Sequence, residues 1–427
     1  MKLYKYIPIL FLLLTFPSIE QWMNYDVGNT TIWWSIEGLL LCAFGQFAWK
    51  TRHHGPKTPL PIKMFLMWVV CSSIYGLYMV QDWYWDAKAL VGTAMIFLIG
   101  ICFRYFSYPS NISKVTSTWC KVALVGLWVL LPYMQYETVG RFLIPFSFVL
   151  IFWPFLKKKW MLIVLLFSSF VVIYGSMGAR SSIVKFAFSA AISLTFIMPW
   201  LLNKLFFRLF CISCFVVPFV LLWYGVNGEF NVWELVEDSE LSNVEARNSF
   251  NSEDNDELEE EKLGADTRTF LYVEVLSSAV KNDYVIEGRS LARGYDSDAF
   301  SETDLVKGRG ERLDSEVSIL NIFTHMGIIG VVLYFFVFLG AYWRVRNKSR
   351  NRYMRAVCMC VAFRWVFAWV EDFGRFDLNN VYIWIMITMC YSPYFLEMND
   401  KQFKSFAKNF FGTGKKYHLR WKNLWKI

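Results

Sequence analysis

The chain has 427 residues, of which 56% are hydrophobic, 19% aromatic and only 18% charged, and its mean hydropathy is +0.34. A soluble domain carries about 25% charged residues, so this composition excludes an ordinary soluble protein and predicts an integral membrane protein. The net charge of +8 does not indicate a nucleic-acid partner, because the basic residues lie in short clusters beside apolar runs.

The apolar runs predict an all-α polytopic membrane protein with about 12 transmembrane helices, each near the ~20 residues that cross a bilayer. The first run resembles a signal sequence, but it lacks a small-x-small cleavage site and is interpreted as a retained helix. The predicted spans cover residues 5–22, 31–49, 62–81, 88–106, 118–136, 141–156, 160–177, 181–200, 206–226, 317–343, 354–371 and 379–397. Residues 1–226 thus hold nine helices and residues 317–397 hold three.

Loop charges predict the orientation of these spans. The basic clusters at residues 50–54, 157–159, 204–208 and 344–355 fall on the same side of the membrane as the N-terminus and the basic tail, residues 398–427. Basic loops remain cytoplasmic, so both termini are predicted inside and the polar segment 227–316 outside. Trp421 and Trp425 among basic residues predict that the tail contacts anionic membrane lipids.

The external segment divides into two parts. Residues 229–261 are strongly acidic and are expected to be mobile, because like charges repel. Residues 265–316 have balanced charge and alternate glycines with arginines, and the apolar spacing over 269–280 predicts an amphipathic helix at the membrane surface. The arginines of this part are predicted to contact a substrate: Arg268, Arg289, Arg293, Arg309 and Arg312.

Two further arginines lie at predicted outer helix ends. Arg180 follows residues 175–179, four of which are small and allow two helices to approach, and the next helix directs its N-terminus to the same place. A guanidinium beside free helix N–H groups suits a phosphate or diphosphate, and Arg141 at the same depth could share it. The alternatives are an interfacial anchor or a structural salt bridge.

Carboxylates lie where the external segment re-enters the membrane. Asp314 and Glu316 are candidates for a general base, whereas His325, nine residues deeper than Glu316, is expected to be a helix-packing hydrogen-bonding residue. Glu371 and Asp372 are candidates for substrate contact at another outer helix end. For Glu371, a structural chain of ion pairs with neighbouring arginines on its own stretch is the alternative.

Four motifs occur in order along the chain. They are Gly-Arg-Phe at 140–142, Gly-Ala-Arg-Ser-Ser at 178–182, Arg268 followed by Glu-Gly-Arg at 287–289 with Gly294, and the polar-start helix from Asp314 to Gly-Ile-Ile-Gly at 327–330. Together they resemble the O-antigen polymerase and ligase superfamily of bacterial envelope enzymes. The resemblance covers most of residues 135–345 and rests on the motifs' order and on the long external segment.

The resemblance implies a membrane glycosyltransferase that uses glycans carried on undecaprenyl diphosphate at the outer face of the bacterial inner membrane. Arg180, Arg141 and arginines of the external segment would hold the diphosphate, and Asp314 or Glu316 would deprotonate the acceptor hydroxyl, with inversion at the anomeric carbon. No cofactor or metal is required. A chain-length regulator protein is an implied partner, and membrane lipids surround the site.

Three other functions remain open. The ligase branch usually has a histidine near positions 315–316, and its absence here favours the polymerase branch over transfer to a lipid-linked core. A transporter or flippase for lipid-linked sugar or polysaccharide is less favoured, because the sequence has no evident repeat between its halves and no pair of interrupted helices. A purely structural assembly protein would not need arginines at outer helix starts.

Overall fold

The structure is a computed structural model, and it describes residues 2–25, 28–175, 180–226, 267–297, 310–371 and 374–412. The fold is almost entirely helical. The helices before the external segment are α1 (Ile7–Leu13), α2 (Thr15–Ile19), α3 (Thr30–Lys50), α4 (Leu60–Met79), α5 (Trp85–Phe97), α6 (Phe103–Phe106), α7 (Pro109–Leu130), α8 (Tyr136–Phe142), α9 (Ile144–Ile151), α10 (Lys158–Gly175), α11 (Arg180–Ile197) and α12 (Lys204–Val226).

The remaining elements begin within the external segment. They are α13 (Thr267–Lys281), the two-residue strands β1 (Tyr295–Asp296) and β2 (Glu311–Arg312), then α14 (Ser318–Lys348), α15 (Tyr353–Phe367), α16 (Leu378–Tyr391), α17 (Pro393–Leu396) and α18 (Asp400–Lys408). Helix starts follow local chemistry: the Asn29 side chain accepts a hydrogen bond from the Ile32 amide, and Asp377 caps α16 through the Asn380 amide.

Within the described residues, six helical stretches are long and apolar enough to cross a membrane. They are Leu3–Trp22, Leu60–Met79, Trp85–Phe106, Pro109–Tyr133, Lys204–Tyr224 and Ser318–Lys348. The chain is therefore a membrane-embedded helical protein, as its composition predicts. The predicted span 31–49 coincides with the continuous 21-residue helix α3, which is not among the six. Some other predicted spans coincide with shorter or interrupted helices: the span 141–156 corresponds to α8 and α9, which meet at Leu143, and α16 has 14 residues.

α14 lies at the centre of the fold and packs against α4, α15 and α16, while α12 packs against α15 and α11 against α9. Three tryptophans, Trp119, Trp365 and Trp384, are among the largest fully buried side chains. Buried aromatic rings in edge and tilted contacts fill the space between these helices, for example Phe65 against Tyr334 and Trp384.

α14 is broken at Gly327, whose backbone angles (φ 63°, ψ −168°) are accessible essentially only to glycine. The external segment fills the break. The Ile328 amide donates to the Val285 carbonyl at 3.0 Å, and the Arg289 amide donates to the Thr324 carbonyl at 2.7 Å. The backbone polar groups released by the break are thus satisfied by the segment around Gly288, which ties the external segment to the helical bundle.

α13 confirms the helix predicted over residues 269–280, and the paired strands β1 and β2 form a small antiparallel hairpin beside it. Leu271, Val275 and Ala279 are buried, whereas Val273 and Val280 are exposed. One end of α13 is fastened to the bundle, because the Tyr272 hydroxyl donates to the Trp369 carbonyl at 2.7 Å. The part of the external segment after residue 266 is therefore a packed structure, not a set of open loops, over residues 267–297 and 310–316.

Candidate functional site

The ends of α8 and α11 meet closely at Gly140. A Cβ atom there would lie 2.5 Å from the Ser182 hydroxyl, so only glycine permits this approach. Arg141 follows Gly140, and Arg180 is the first residue of α11, two positions before Ser182. The backbone positions of the two sequence-predicted arginines are therefore brought to the same end of the bundle.

A buried ion pair lies next to this junction. Lys185, on α11, donates to Glu371 at 2.5 Å, and their side chains are only 5% and 12% exposed. Five residues separate Lys185 from the start of α11, which corresponds to about 7.5 Å along a helix. Arg364, on α15, is also buried and lies within electrostatic reach of Lys185 and Glu371.

Two guanidinium groups stack on one indole ring. Arg141 Cζ lies 3.4 Å from the ring centroid of Trp22, and Arg375 Cζ lies 4.8 Å from it. Trp22 is held in place because its carbonyl accepts hydrogen bonds from the Gln135 amide and the Thr138 hydroxyl. Asp377, which caps α16, is buried within electrostatic reach of Arg141 and Arg375.

These side chains form what we call the cationic cluster: Arg141, Lys185, Arg364 and Arg375 with the carboxylates Glu371 and Asp377. The cluster holds four cations and two carboxylates, and Asp377 also lies within electrostatic reach of the buried Glu37. Arg364 Nη1 and Glu371 Oε2 are buried and find no hydrogen-bond partner in the described part of the chain. Ionisable side chains buried between membrane helices, such as Lys185, Arg364 and Glu371, are costly and are usually associated with function.

A small cavity lies directly beneath the cluster, between α9, α11, α15 and α16. It is lined by Ser147, Lys185, Ser189, Arg364, Tyr382 and Met386, among others. Two cations and two hydroxyl-bearing serines therefore face one space inside the bundle. The cavity has room for about one water molecule, and the Ser147 hydroxyl already donates to the Ile144 carbonyl, so the space is too small for a larger anion.

The arginines of the external segment are engaged in a separate ionic network. Arg289 contacts Asp296 at 2.6 Å and Glu311 at 3.1 Å, and Arg293 binds both oxygens of Glu311. Burial opposes ionisation of Asp296, but hydrogen bonds from Asn282 and Arg289 outweigh it and lower the pKa of this carboxyl. The Glu311 carboxylate raises the pKa of Arg293. These ion pairs hold the loop that contains Arg289 and Arg293 to the hairpin, and the Asp296 amide joins the hairpin to α13 by donating to the Ser278 hydroxyl. Both guanidinium groups therefore stabilise the shape of the segment.

The two candidate bases have different surroundings. Glu316 is 63% exposed and lies 4.0 Å from Arg312. Asp314 is 45% exposed, and one of its oxygens lies 3.4 Å from Nε2 of the fully buried His325. Ser315, between them, is fixed because its amide and hydroxyl both donate to the Asn321 side chain.

The structure accounts for the other predicted residues as follows. Arg268 is the second residue of α13, whereas Arg309 and Asp372 lie outside the described residues. Glu371 is not paired along its own stretch as one alternative proposed; its partner Lys185 is on another helix. Lys185 is not among the residues predicted from the sequence. Its position as a lone charge inside the apolar run 181–197 is nevertheless typical of a functional residue.

Within the described parts of the chain, no group of three or more His, Cys, Asp or Glu side chains could hold a metal ion. No protein-family model, no curated protein and no solved structure matches the chain. Three features bear on its function: the cationic cluster, the start of α14, where the Ser318 amide donates to the Glu371 carbonyl, and the motifs of the sequence.

Proposed function

We propose that the chain is a membrane glycosyltransferase that polymerises undecaprenyl-diphosphate-linked oligosaccharide repeat units into O-antigen or a related surface polysaccharide. The reaction takes place at the outer face of the bacterial inner membrane. The observation that carries the proposal is the cationic cluster, which gathers Arg141, Lys185 and Arg364 at the end of the bundle where α11 begins. The four sequence motifs described above support the same family of reactions.

The proposed topology has twelve crossings with both termini in the cytoplasm. Basic loops favour this orientation, and the order of the helices is compatible with it if the pairs α1–α2, α5–α6 and α8–α9 each make one crossing. The cationic cluster and the external segment then lie on the outer side. A lipid-linked donor that has already reached the outer leaflet would meet them there.

A diphosphate is an anion that the cations of the cluster attract. Guanidinium groups bind phosphate oxygens through two parallel hydrogen bonds. Burial strengthens these attractions, because the surroundings of Lys185 and Arg364 are poor in water.

The reaction follows from this placement. The acceptor hydroxyl attacks the anomeric carbon of the donor, the bond from that carbon to the diphosphate oxygen breaks, and the lipid diphosphate leaves with the bonding electrons. Arg141, Lys185 and Arg180 stabilise the charge that develops on the leaving group. A carboxylate at the start of α14, Asp314 or Glu316, takes the hydroxyl proton. Attack opposite to the leaving group inverts the anomeric configuration.

Reconstitution tests this proposal. Purified protein in liposomes receives undecaprenyl-diphosphate-linked repeat units extracted from cells that make this protein, with no nucleotide and no other acceptor. We expect a ladder of longer glycans.

Arg141→Gln and Lys185→Gln should each lower the rate by about 10²–10³, the usual cost of removing one charge-stabilising group. Arg346→Gln, at the opposite end of α14, is the matched control and should retain the rate. Absence of a ladder, or unchanged rates in both cluster variants, contradicts the proposal.

The same assay distinguishes the alternatives. A flippase would move the lipid-linked unit between leaflets without lengthening it, and the break of α14 at Gly327 is the observation that favours this second candidate, since transporter helices are often interrupted at a binding site. A ligase would give no ladder, but would transfer glycan when a lipid-linked core acceptor is added.

A further inference from the structure

His325 has defined partners on both ring nitrogens. Nδ1 lies 3.0 Å from the Ser290 carbonyl oxygen, and Nε2 lies 3.4 Å from Oδ1 of Asp314. The imidazole is fully buried, with the ring of Phe97 edge-on to it at 6.2 Å, whereas Asp314 is 45% exposed. A buried imidazole therefore backs an exposed carboxylate at the outer start of α14.

The Ser290 carbonyl decides which nitrogen carries hydrogen. A carbonyl oxygen can only accept, so Nδ1 is the donor in that contact. In neutral imidazole Nε2 is then an acceptor. An ionised Asp314 carboxylate would then place a lone pair of Oδ1 against the lone pair of Nε2, and the two would repel. The contact between Nε2 and Oδ1 is attractive only when it contains one proton, held by either atom.

We propose that Asp314 is the general base of the glycosyl transfer and that His325 is its positioning residue, holding one shared proton on the inner oxygen. The proposal rests on the proposed function and selects between the two carboxylates considered there. Glu316 lies 4.0 Å from the buried Arg312, a guanidinium that stays protonated and so cannot exchange a proton with it. The 3.4 Å separation is long for a strong hydrogen bond, as is common before a substrate is bound.

The proton transfer balances as follows. The acceptor hydroxyl gives its proton to Oδ2 of Asp314, while its oxygen forms the new bond to the anomeric carbon. The shared proton settles on Nε2, so Asp314 ends as a neutral carboxylic acid and His325 as an imidazolium. The electron pair of the broken bond leaves with the lipid diphosphate. Release of one proton to solvent restores the pair.

The fold keeps this pair in place from both sides. The Arg289 amide donates to the Thr324 carbonyl, which sets Ser290 beside His325. A Cβ atom at Gly288 would overlap the backbone of α14 at Met326, so the close approach depends on glycine. On the other side, the hydrogen bonds between Ser315 and Asn321 fold Asp314 back over the first turns of α14.

Steady-state kinetics in the reconstituted system test the roles. We expect Asp314→Asn to lower kcat by about 10²–10⁴, the contribution of a general base. His325→Gln should lower kcat by about 10–100-fold, as for other groups that orient a reacting residue, with the KM for the lipid-linked donor changed less than about threefold. The double variant should be no slower than Asp314→Asn, because the residues act as a unit.

His54→Gln, in an exposed inner loop, is the control. A kcat loss confined to Glu316→Gln, or full activity of His325→Gln, overturns the proposal.

Nitrogen-15 NMR of the histidine rings tests the pair without any substrate. The chain has four histidines, and the His325 signals are those missing from His325→Gln. In the wild type we expect Nδ1 to be protonated and Nε2 to share a proton; in Asp314→Asn we expect the neutral Nδ1–H tautomer. Identical spectra, or an unprotonated Nδ1, overturn the proposal while leaving the proposed function intact. Wild-type protein with the expected spectra but no glycan ladder contradicts the proposed function alone.

Discussion

Lys185 and Glu371 lie where an isolated charge is most costly, between apolar helices and with little exposed surface. Their mutual attraction offsets part of the cost of removing both groups from water. Loss of one partner leaves the other charge buried without a counter-ion, whereas loss of both removes the cost of burying a charge. The pair therefore gives a sharp test of the electrostatics of the cationic cluster.

We predict that Glu371→Gln alone lowers the free energy of unfolding by about 3–5 kcal/mol, because it leaves the buried Lys185 without its ion-pair partner. Lys185→Met with Glu371→Gln should recover most of that loss. Thermal unfolding of the purified variants in detergent gives the measurement, with Arg346→Gln as the exposed control. Equal destabilisation of the single and double variants would contradict the importance of the pairing.

For single residues, the sequence predicts the place of a side chain in the fold better than it predicts which side chain it contacts. Arg141 and Arg180 were predicted at one end of the bundle from glycine-rich helix ends, and the contact of Gly140 with Ser182 agrees. The pairing of Glu371 with Lys185 could not be read from spacing, because the two residues are on helices far apart in the chain. The contact between Asp314 and His325 could not be predicted from spacing either. The two residues would be far apart along a continuous helix, but the chain before α14 turns back and places Asp314 beside His325.

Among the elements, α14 shows how a helix can be built from two pieces. The break at Gly327 needs a positive φ and also an absent side chain, because a Cβ atom there would overlap the carbonyl of Ile286. Gly-Ile-Ile-Gly in an apolar run is also typical of ordinary close helix packing, so the sequence did not predict an interruption. The amphipathic spacing that predicts α13 was, in contrast, a sufficient local signal.

We predict that Gly327→Ala costs more than the ~1–3 kcal/mol of backbone strain alone, since steric overlap adds to it. Gly126→Ala is the matched control: it lies in α7, no atom lies within 4 Å of its added Cβ, and it should be neutral or slightly stabilising. Unfolding temperature and protease protection of residues 284–290 provide the readouts. Protection equal to that of the wild type in Gly327→Ala would contradict the proposed docking.

For the whole molecule, the proposed function requires that the cationic cluster lie on the outer side of the membrane, where the proposed lipid-linked donor would be. The proposed arrangement places Lys57 in a cytoplasmic loop and Val280 on the outer surface, and both side chains are exposed. Composition was enough to predict a helical membrane protein. The count of twelve crossings depends on short or interrupted helices such as α8 and α9, for which length and hydropathy give a weak signal.

Cysteine labelling of intact cells tests this orientation. In a background with the exposed Cys42 and Cys71 changed to serine, a membrane-impermeant maleimide should label Val280→Cys directly. It should label Lys57→Cys only after the inner membrane is made permeable. The unsubstituted background is the control for the buried cysteines. The reverse pattern would place the cationic cluster in the cytoplasm and exclude an outer-leaflet donor.

The interlocking of Gly288 with α14 also constrains how such a protein can diversify. Gly288 and Gly327 lie on different stretches of the chain, yet each fits only against the backbone that surrounds the other. A recombination crossover between them would join one parent's external segment to another parent's helix and disturb the contact. Exchanges with crossovers outside residues 284–329 keep both halves together, so recombinant variants that fold are expected to inherit this region as one block.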